Sequence, residues 1–154
     1  MSQPSIGKVI PKFALPGTGG VWKSAEARGK HLVVYFYPRD NTPGCTTETA
    51  AFRDHHAYFR KAGAEVIGIS ADSLSAHEKF KAKLILPFEL LSDTEHEVCS
   101  LFGVYKEKSL YGRKFMGIER STFLFDSSGK LRHEWRKVKV PGHVEAVLAE
   151  ARKL

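Results

Sequence analysis

Apolar residues fall along this chain in two rhythms, and the changes from one to the other mark out its elements. His31 to Tyr37 (His-Leu-Val-Val-Tyr-Phe-Tyr) is a β-branched and aromatic run that predicts a buried central strand, ended by Pro38. From Thr46 to Ala62 the pattern turns helical: Glu48, Phe52, His55, Phe59 and Ala62 fall close to one face, and Gly63 supplies the stop. Glu65 to Ala71 reads as a second buried strand. Ser75-x-x-Glu78 reads as a capping box opening a helix whose Phe80 and Leu84 face the core and which ends before Pro87. Phe88 to Leu91 is a short strand, and Thr94-x-x-Glu97 repeats the capping signal ahead of Val98, Leu101 and Phe102, with Gly103 as terminator. Arg120 to Phe125 and Leu131 to Val138 predict two strands joined by a turn through Asp126-Ser127-Ser128-Gly129. Val144, Val147, Leu148 and Ala151 mark a last helix from about Gly142.

Ahead of these, Ile6 to Leu15 is apolar but broken by Pro11, which suits an extended arm better than a central strand. Pro16-Gly17-Thr18-Gly19-Gly20 predicts a turn, with Val21 to Lys23 as the returning strand. No Lys-Ser/Thr pair follows these glycines and no helix opens on them, so they read as a hairpin and not as a phosphate loop. Strands alternating with helices, then a terminal hairpin, predict an α/β fold: a mixed central sheet with helices on both faces and an N-terminal hairpin extension. At 154 residues, with no repeat, linker or low-complexity segment, the chain reads as one domain.

Composition narrows the function. Charged residues make up 27% and hydrophobic ones 42%, and no segment approaches the ~20 apolar residues of a membrane span. Met-Ser-Gln-Pro-Ser-Ile-Gly-Lys lacks the basic-then-apolar pattern of a secretory leader, so a cytoplasmic protein is expected. The net charge of +7 comes from 24 basic residues scattered among 17 acidic ones; without a basic block it argues against nucleic-acid binding and suits an acidic partner protein. Two cysteines could form a single disulfide, but a chain this size needs no such staple, and in a reducing compartment chemistry explains at least one of them better.

That one is Cys45. It lies where a strand hands over to a helix, in the first turn, where unpaired backbone N–H groups and the macrodipole favour an anion. The thiolate is the nucleophilic form, so the position suits a reactive cysteine; taken alone, it equally suits a small hydrophobe at a helix start. Pro38, Thr42 and Cys45 narrow the choice. They reproduce the Pro-x-x-x-Thr-x-x-Cys signature of the peroxiredoxins, and the run Tyr37 to Glu48 resembles the peroxiredoxin Q branch, also called bacterioferritin comigratory proteins. The likeness extends through Leu91-Ser92-Asp93, Phe102-Gly103-Val104 and Arg120 to Asp126, nearly the whole chain.

The resemblance implies a thioredoxin-like fold of peroxiredoxin type and a thiol-dependent peroxidase acting on hydrogen peroxide and organic hydroperoxides. It assigns Cys45 as the peroxidatic nucleophile, oxidised to sulfenic acid, and Thr42 as the hydroxyl that orients the peroxide. Arg120 matches the family arginine that favours the thiolate and donates to the peroxide oxygens, although by spacing alone it is an arginine at a strand start. Pro38 would wall the site. Glu48, three residues after Cys45, reads either as support for the cation the cysteine needs or as a first-turn acid complementing the dipole.

The resolving step departs from the family patterns. Ala50 stands where many peroxiredoxin Q proteins carry a resolving cysteine, and none occurs from Ser75 to Leu84, which leaves Cys99. A disulfide needs Cα atoms within ~7 Å, so a one-cysteine cycle is expected, in which thioredoxin, glutaredoxin or glutathione attacks the sulfenic acid; an atypical two-cysteine cycle through Cys99 is the alternative. No cofactor and no metal are expected: His96 and Cys99 lie one turn apart but are too few, and His55 and His56 diverge. A thiol-disulfide oxidoreductase would need a Cys-x-x-Cys that is missing, and a redox-sensing or holdase-like module is the rival from another class. The resemblance also implies a monomer.

Overall fold

A computed structural model describes residues 3–154 of the chain; Met1 and Ser2, where the segment read for a leader begins, lie outside the described residues. The elements follow as β1 (Ala14–Leu15), β2 (Trp22–Lys23), a 3-10 turn (Ser24–Ala27), β3 (His31–Phe36), α1 (Pro43–Asp54), α2 (His56–Lys61) and β4 (Ala64–Ser70). Then come α3 (Leu74–Leu84), β5 (Glu89–Ser92), α4 (Glu97–Leu101), β6 (Tyr105–Leu110), β7 (Arg113–Ile118), β8 (Ser121–Phe125), β9 (Leu131–Trp135) and α5 (His143–Arg152).

The apolar run from His31 forms the middle strand of a five-stranded sheet ordered β5-β4-β3-β8-β9. β4 runs parallel to β3 and to β5, whereas β8 is antiparallel to β3 and to β9, so the sheet is mixed. Side chains alternate across β3 as a strand requires. Val33, Tyr35 and Tyr37 enter one core with Cys45 and Phe52 of α1, Phe59 of α2, Phe80 of α3 and the Val144, Val147, Leu148 and Ala151 stripe of α5. Val34 and Phe36 enter the other, with Val98 and Cys99 of α4, Phe102 and Leu15 of the first hairpin. Helices therefore cover both faces. The expected N-terminal hairpin is present as β1 against β2.

Several boundaries differ from the sequence expectation, each for a local reason. The helix expected over Thr46 to Ala62 begins at Pro43, whose ring suits the first helical position, and divides at His55 (φ −98, ψ 1). The Ser75 capping box is not used: Ser73 is the N-cap, and its hydroxyl accepts from the Ala76 N–H at 3.1 Å. Thr94 does not cap α4 either. Its N-cap is His96 in left-handed geometry, and the Asp93 carboxylate accepts from the Val98 and Cys99 amides at 3.2 and 2.7 Å. The strand expected to run to Val138 stops at Trp135, ahead of Lys137 at φ 49. β6 and β7 were not anticipated. They form a separate hairpin turned by Tyr111 (φ 52) and Gly112 (φ 77), exposed along most of both faces, so no alternation of apolar and polar residues announces it.

Candidate active site

β8 is antiparallel to β3, with Ser121 opposite Phe36, so the start of β8 lies beside the end of β3. The chain leaving β3 reaches α1 within a few residues, and the residue entering β8 is Arg120. Two positions 75 apart in sequence thus converge on the first turn of α1.

Cys45 occupies the third position of α1 and is 1% exposed. Arg120 Nη2 lies 3.3 Å from its Sγ, and Nη1 of the same guanidinium donates to Glu48 Oε1 at 2.6 Å. Gly44 permits this approach, because a Cβ there would stand 3.3 Å from Nη2. Thr42 is the N-cap residue, yet its side chain caps no amide: the hydroxyl donates to the Arg39 carbonyl at 2.9 Å. Two consequences follow. The first-turn N–H groups of α1, that of Cys45 among them, are claimed by no capping side chain, and the Thr42 oxygen keeps its lone pairs for a donor. Pro38 lies exposed just past β3, at the head of the loop that leads to Thr42.

Glu48 is fully buried, and burial pushes its carboxyl up to about 7 against the pull of Arg120. Its Oε2 has no hydrogen-bond partner among the described residues; His143 Nε2 lies 4.0 Å from it. His143 opens α5 and shares a 2.8 Å hydrogen bond with Thr122 Oγ1. Burial, reinforced by the Arg120 charge, brings it down to about 4, so the ring is neutral at pH 7. Burial opposes the charge on Arg120 as well, but Glu48 and Cys45 outweigh it and raise the guanidinium above its ordinary value. The Arg120 guanidinium therefore faces two acids, one of them a sulfur. His143 and Thr122 were not singled out from sequence, since nothing in Pro141-Gly142-His143 separates that histidine from the other six.

Behind the loop lies a second polar cluster. Tyr37 donates its hydroxyl proton to Asp40 Oδ1 at 2.6 Å, and His77 Nδ1 lies 2.7 Å from Asp40 Oδ2. His77 Nε2–H donates to the Leu91 carbonyl at 2.9 Å, and the Asp40 N–H to Asp72 Oδ2 at 2.8 Å. Asp40, Asp72 and His77 place potential metal donors within 4.8 Å of one another. The ring nitrogens and three of the four carboxylate oxygens are already engaged in this network, which pins the loop between Pro38 and Thr42 to α3.

Cys99 is not part of either group. It is fully buried in the core on the opposite face of the sheet from Cys45. Burial first, then the neighbouring Asp93 carboxylate, push its thiol well above the ordinary range.

Residues 6–134 match the model of the AhpC/TSA family. The chain is 51% identical over 144 residues to peroxiredoxin Bcp of Bacillus subtilis, covering 93% of this chain and 92% of that one. It is 40% identical over 149 residues to peroxiredoxin Bcp of Escherichia coli, covering 96% of each. Among solved structures, peroxiredoxin Q of Xanthomonas campestris superposes with a TM-score of 0.87 at 46% identity, over 92% of this chain and 90% of that one. A further Xanthomonas campestris structure, of a bacterioferritin comigratory protein described for its alkyl peroxide reduction activity, gives 0.87 at 45% over the same shares.

Proposed function

The chain belongs to the AhpC/TSA family, in its peroxiredoxin Bcp and Q branch, and from that premise we propose that it reduces hydrogen peroxide and organic hydroperoxides through Cys45 in a one-cysteine cycle. The observation that carries this reading is the guanidinium of Arg120, held by buried Glu48 and aimed at the Cys45 sulfur. The alkyl peroxide activity of the Xanthomonas campestris relative supports extending the substrate range beyond hydrogen peroxide.

A thiolate lone pair on Cys45 attacks one peroxide oxygen; an S–O bond forms, the O–O bond breaks, and the other oxygen leaves as hydroxide or alkoxide and takes a proton. Arg120 compensates the charge on sulfur beforehand and on the departing oxygen afterwards, and because Glu48 fixes its orientation no reorganisation is needed during the reaction. The unclaimed first-turn amides of α1 donate in the same direction. Thr42, its proton already spent on Arg39, accepts from the hydroperoxide O–H and sets the angle of attack. Pro38 fences the loop side of the site.

The resulting sulfenic acid requires a second thiol. Cys99 lies on the far face of the sheet, with its thiol held protonated by burial and Asp93. This favours an external thiol from thioredoxin, glutaredoxin or glutathione over an internal disulfide. Two free, buried cysteines suit a reducing cytoplasm, and among the described residues no helix is long and apolar enough to cross a membrane. The test is mass spectrometry after one equivalent of peroxide. Sulfenic acid or a mixed disulfide at Cys45 is expected, and a bond from Cys45 to Cys99 would establish the two-cysteine cycle instead.

A further inference from the structure

A cavity of about 450 Å³ opens between the loop that leads to α1 and α3. Its volume is within the range of small-molecule sites. Cys45 is not in its lining, but Thr42 is, and the Thr42 carbonyl accepts from the Thr46 N–H at 2.8 Å, which ties this wall of the cavity to the first turn of α1, the turn that carries Cys45. Arg39, Lys79 and Lys83 also line it, and among the described residues none of the three is ion-paired. Lys83 donates only to the neutral Asn41 side chain, at 2.6 Å. Asp40 and Asp72 line it as well, Asp40 bonded to Tyr37 and His77 and Asp72 through Oδ2 to Ser70 and the Asp40 amide, so the lining sets three cations against two carboxylates. The cavity is thus a cationic recess beside a sulfur whose cycle has no second thiol of its own on that face.

We propose that this recess binds the resolving thiol, a small thiol carrying carboxylates, of the glutathione kind. Arg39, Lys79 and Lys83 take the carboxylates, and the sulfur reaches past Thr42 to Cys45. The inference rests on the one-cysteine reading. In the first step the bound thiolate attacks the sulfenic sulfur; an S–S bond forms, the S–O bond breaks, and the leaving hydroxide takes the proton the thiol gave up, as water. In the second a further thiol of the same kind attacks that disulfide, releasing the oxidised small-molecule disulfide and returning Cys45 as a thiolate. The two thiols supply the two electrons that the peroxide removed.

The test follows loss of preformed sulfenic acid under glutathione and, separately, under its diethyl ester, whose carboxylates carry no charge. Glutathione is expected to react at least about tenfold faster at low salt, with the advantage shrinking as salt is added. Lys79→Glu should remove that advantage while leaving the ester rate and the oxidation of Cys45 by peroxide unchanged, and Lys79→Arg should retain it. Equal rates for the two thiols, or no effect of Lys79→Glu, would overturn the proposal. So would rapid reduction by a dithiol protein with no reaction of glutathione, which leaves the one-cysteine cycle standing. A Cys45 to Cys99 disulfide formed before any thiol is added is the separate result that would remove the cycle itself.

Discussion

Arg120, Glu48 and His143 carry most of the testable chemistry at the scale of single residues. Arg120→Ala removes the only side-chain donor that the described residues place on the sulfur and is expected to slow peroxide reduction by roughly 10²- to 10³-fold, the loss typical of one preorganised donor. Arg120→Lys should recover only part, because one ammonium cannot serve both Sγ and Glu48 in the forked geometry; single-turnover kinetics with hydrogen peroxide check both. Glu48 and His143 pull stability in opposite directions with pH. The Glu48 carboxyl, raised to about 7 from 4.5, binds more protons folded than unfolded, so its contribution to stability falls as pH rises between those values. His143, lowered to about 4 from 6.5, binds fewer protons folded, so its contribution falls as pH drops through that window. Denaturant titrations across pH 4 to 7 should therefore show Glu48→Gln losing less stability toward neutral pH, and His143→Gln losing less toward acid, than the unaltered chain. Reversed slopes would contradict the burial argument for either group. Cys45 was legible in the sequence from its place where a strand hands over to a helix, and Thr42 through its place in the family signature. Arg120 was legible only through its likeness to a family segment, and His143 not at all, since its place depends on how α5 packs against α1.

Among the elements, the two capping signals show where a local pattern misleads. Ser75-x-x-Glu78 and Thr94-x-x-Glu97 both fit the capping pattern, but the backbone takes extended geometry at Ser73 and left-handed geometry at His96. The side chains that satisfy the first-turn amides are accordingly Ser73 and Asp93. Ser73→Ala is expected to cost about 1 kcal/mol, and Asp93→Ala about 2 kcal/mol because it strips partners from two buried amides. Ser75→Ala should be nearly neutral; chemical denaturation of the three variants measures the difference. The strands of the central sheet were legible because burial on both faces produces uninterrupted apolar runs in β3 and β4. The β6-β7 hairpin was not, because it stands outside that sheet and buries little.

The arrangement of the whole molecule follows from one fact about sheets: alternate residues of β3 face opposite cores. α1 and its cysteine cover one face and α4 with Cys99 covers the other, so the two thiols are separated by the thickness of the sheet. Cys99→Ser is therefore expected to leave peroxide-dependent thiol oxidation unchanged under excess external thiol, and a cycle that stalls at sulfenic acid in this variant would restore a resolving role to Cys99. The same sheet brings the start of β8 to the end of β3, which is why an arginine and a cysteine far apart in sequence meet at a helix N-terminus. Whether that meeting splits an oxygen–oxygen bond is open to direct measurement: stopped-flow consumption of hydrogen peroxide and of an alkyl hydroperoxide by the pre-reduced protein, beside Cys45→Ser. The unaltered chain should consume one equivalent rapidly and turn over when thiol is added, while Cys45→Ser should do neither. Peroxide consumption that survives the loss of that sulfur would contradict the account.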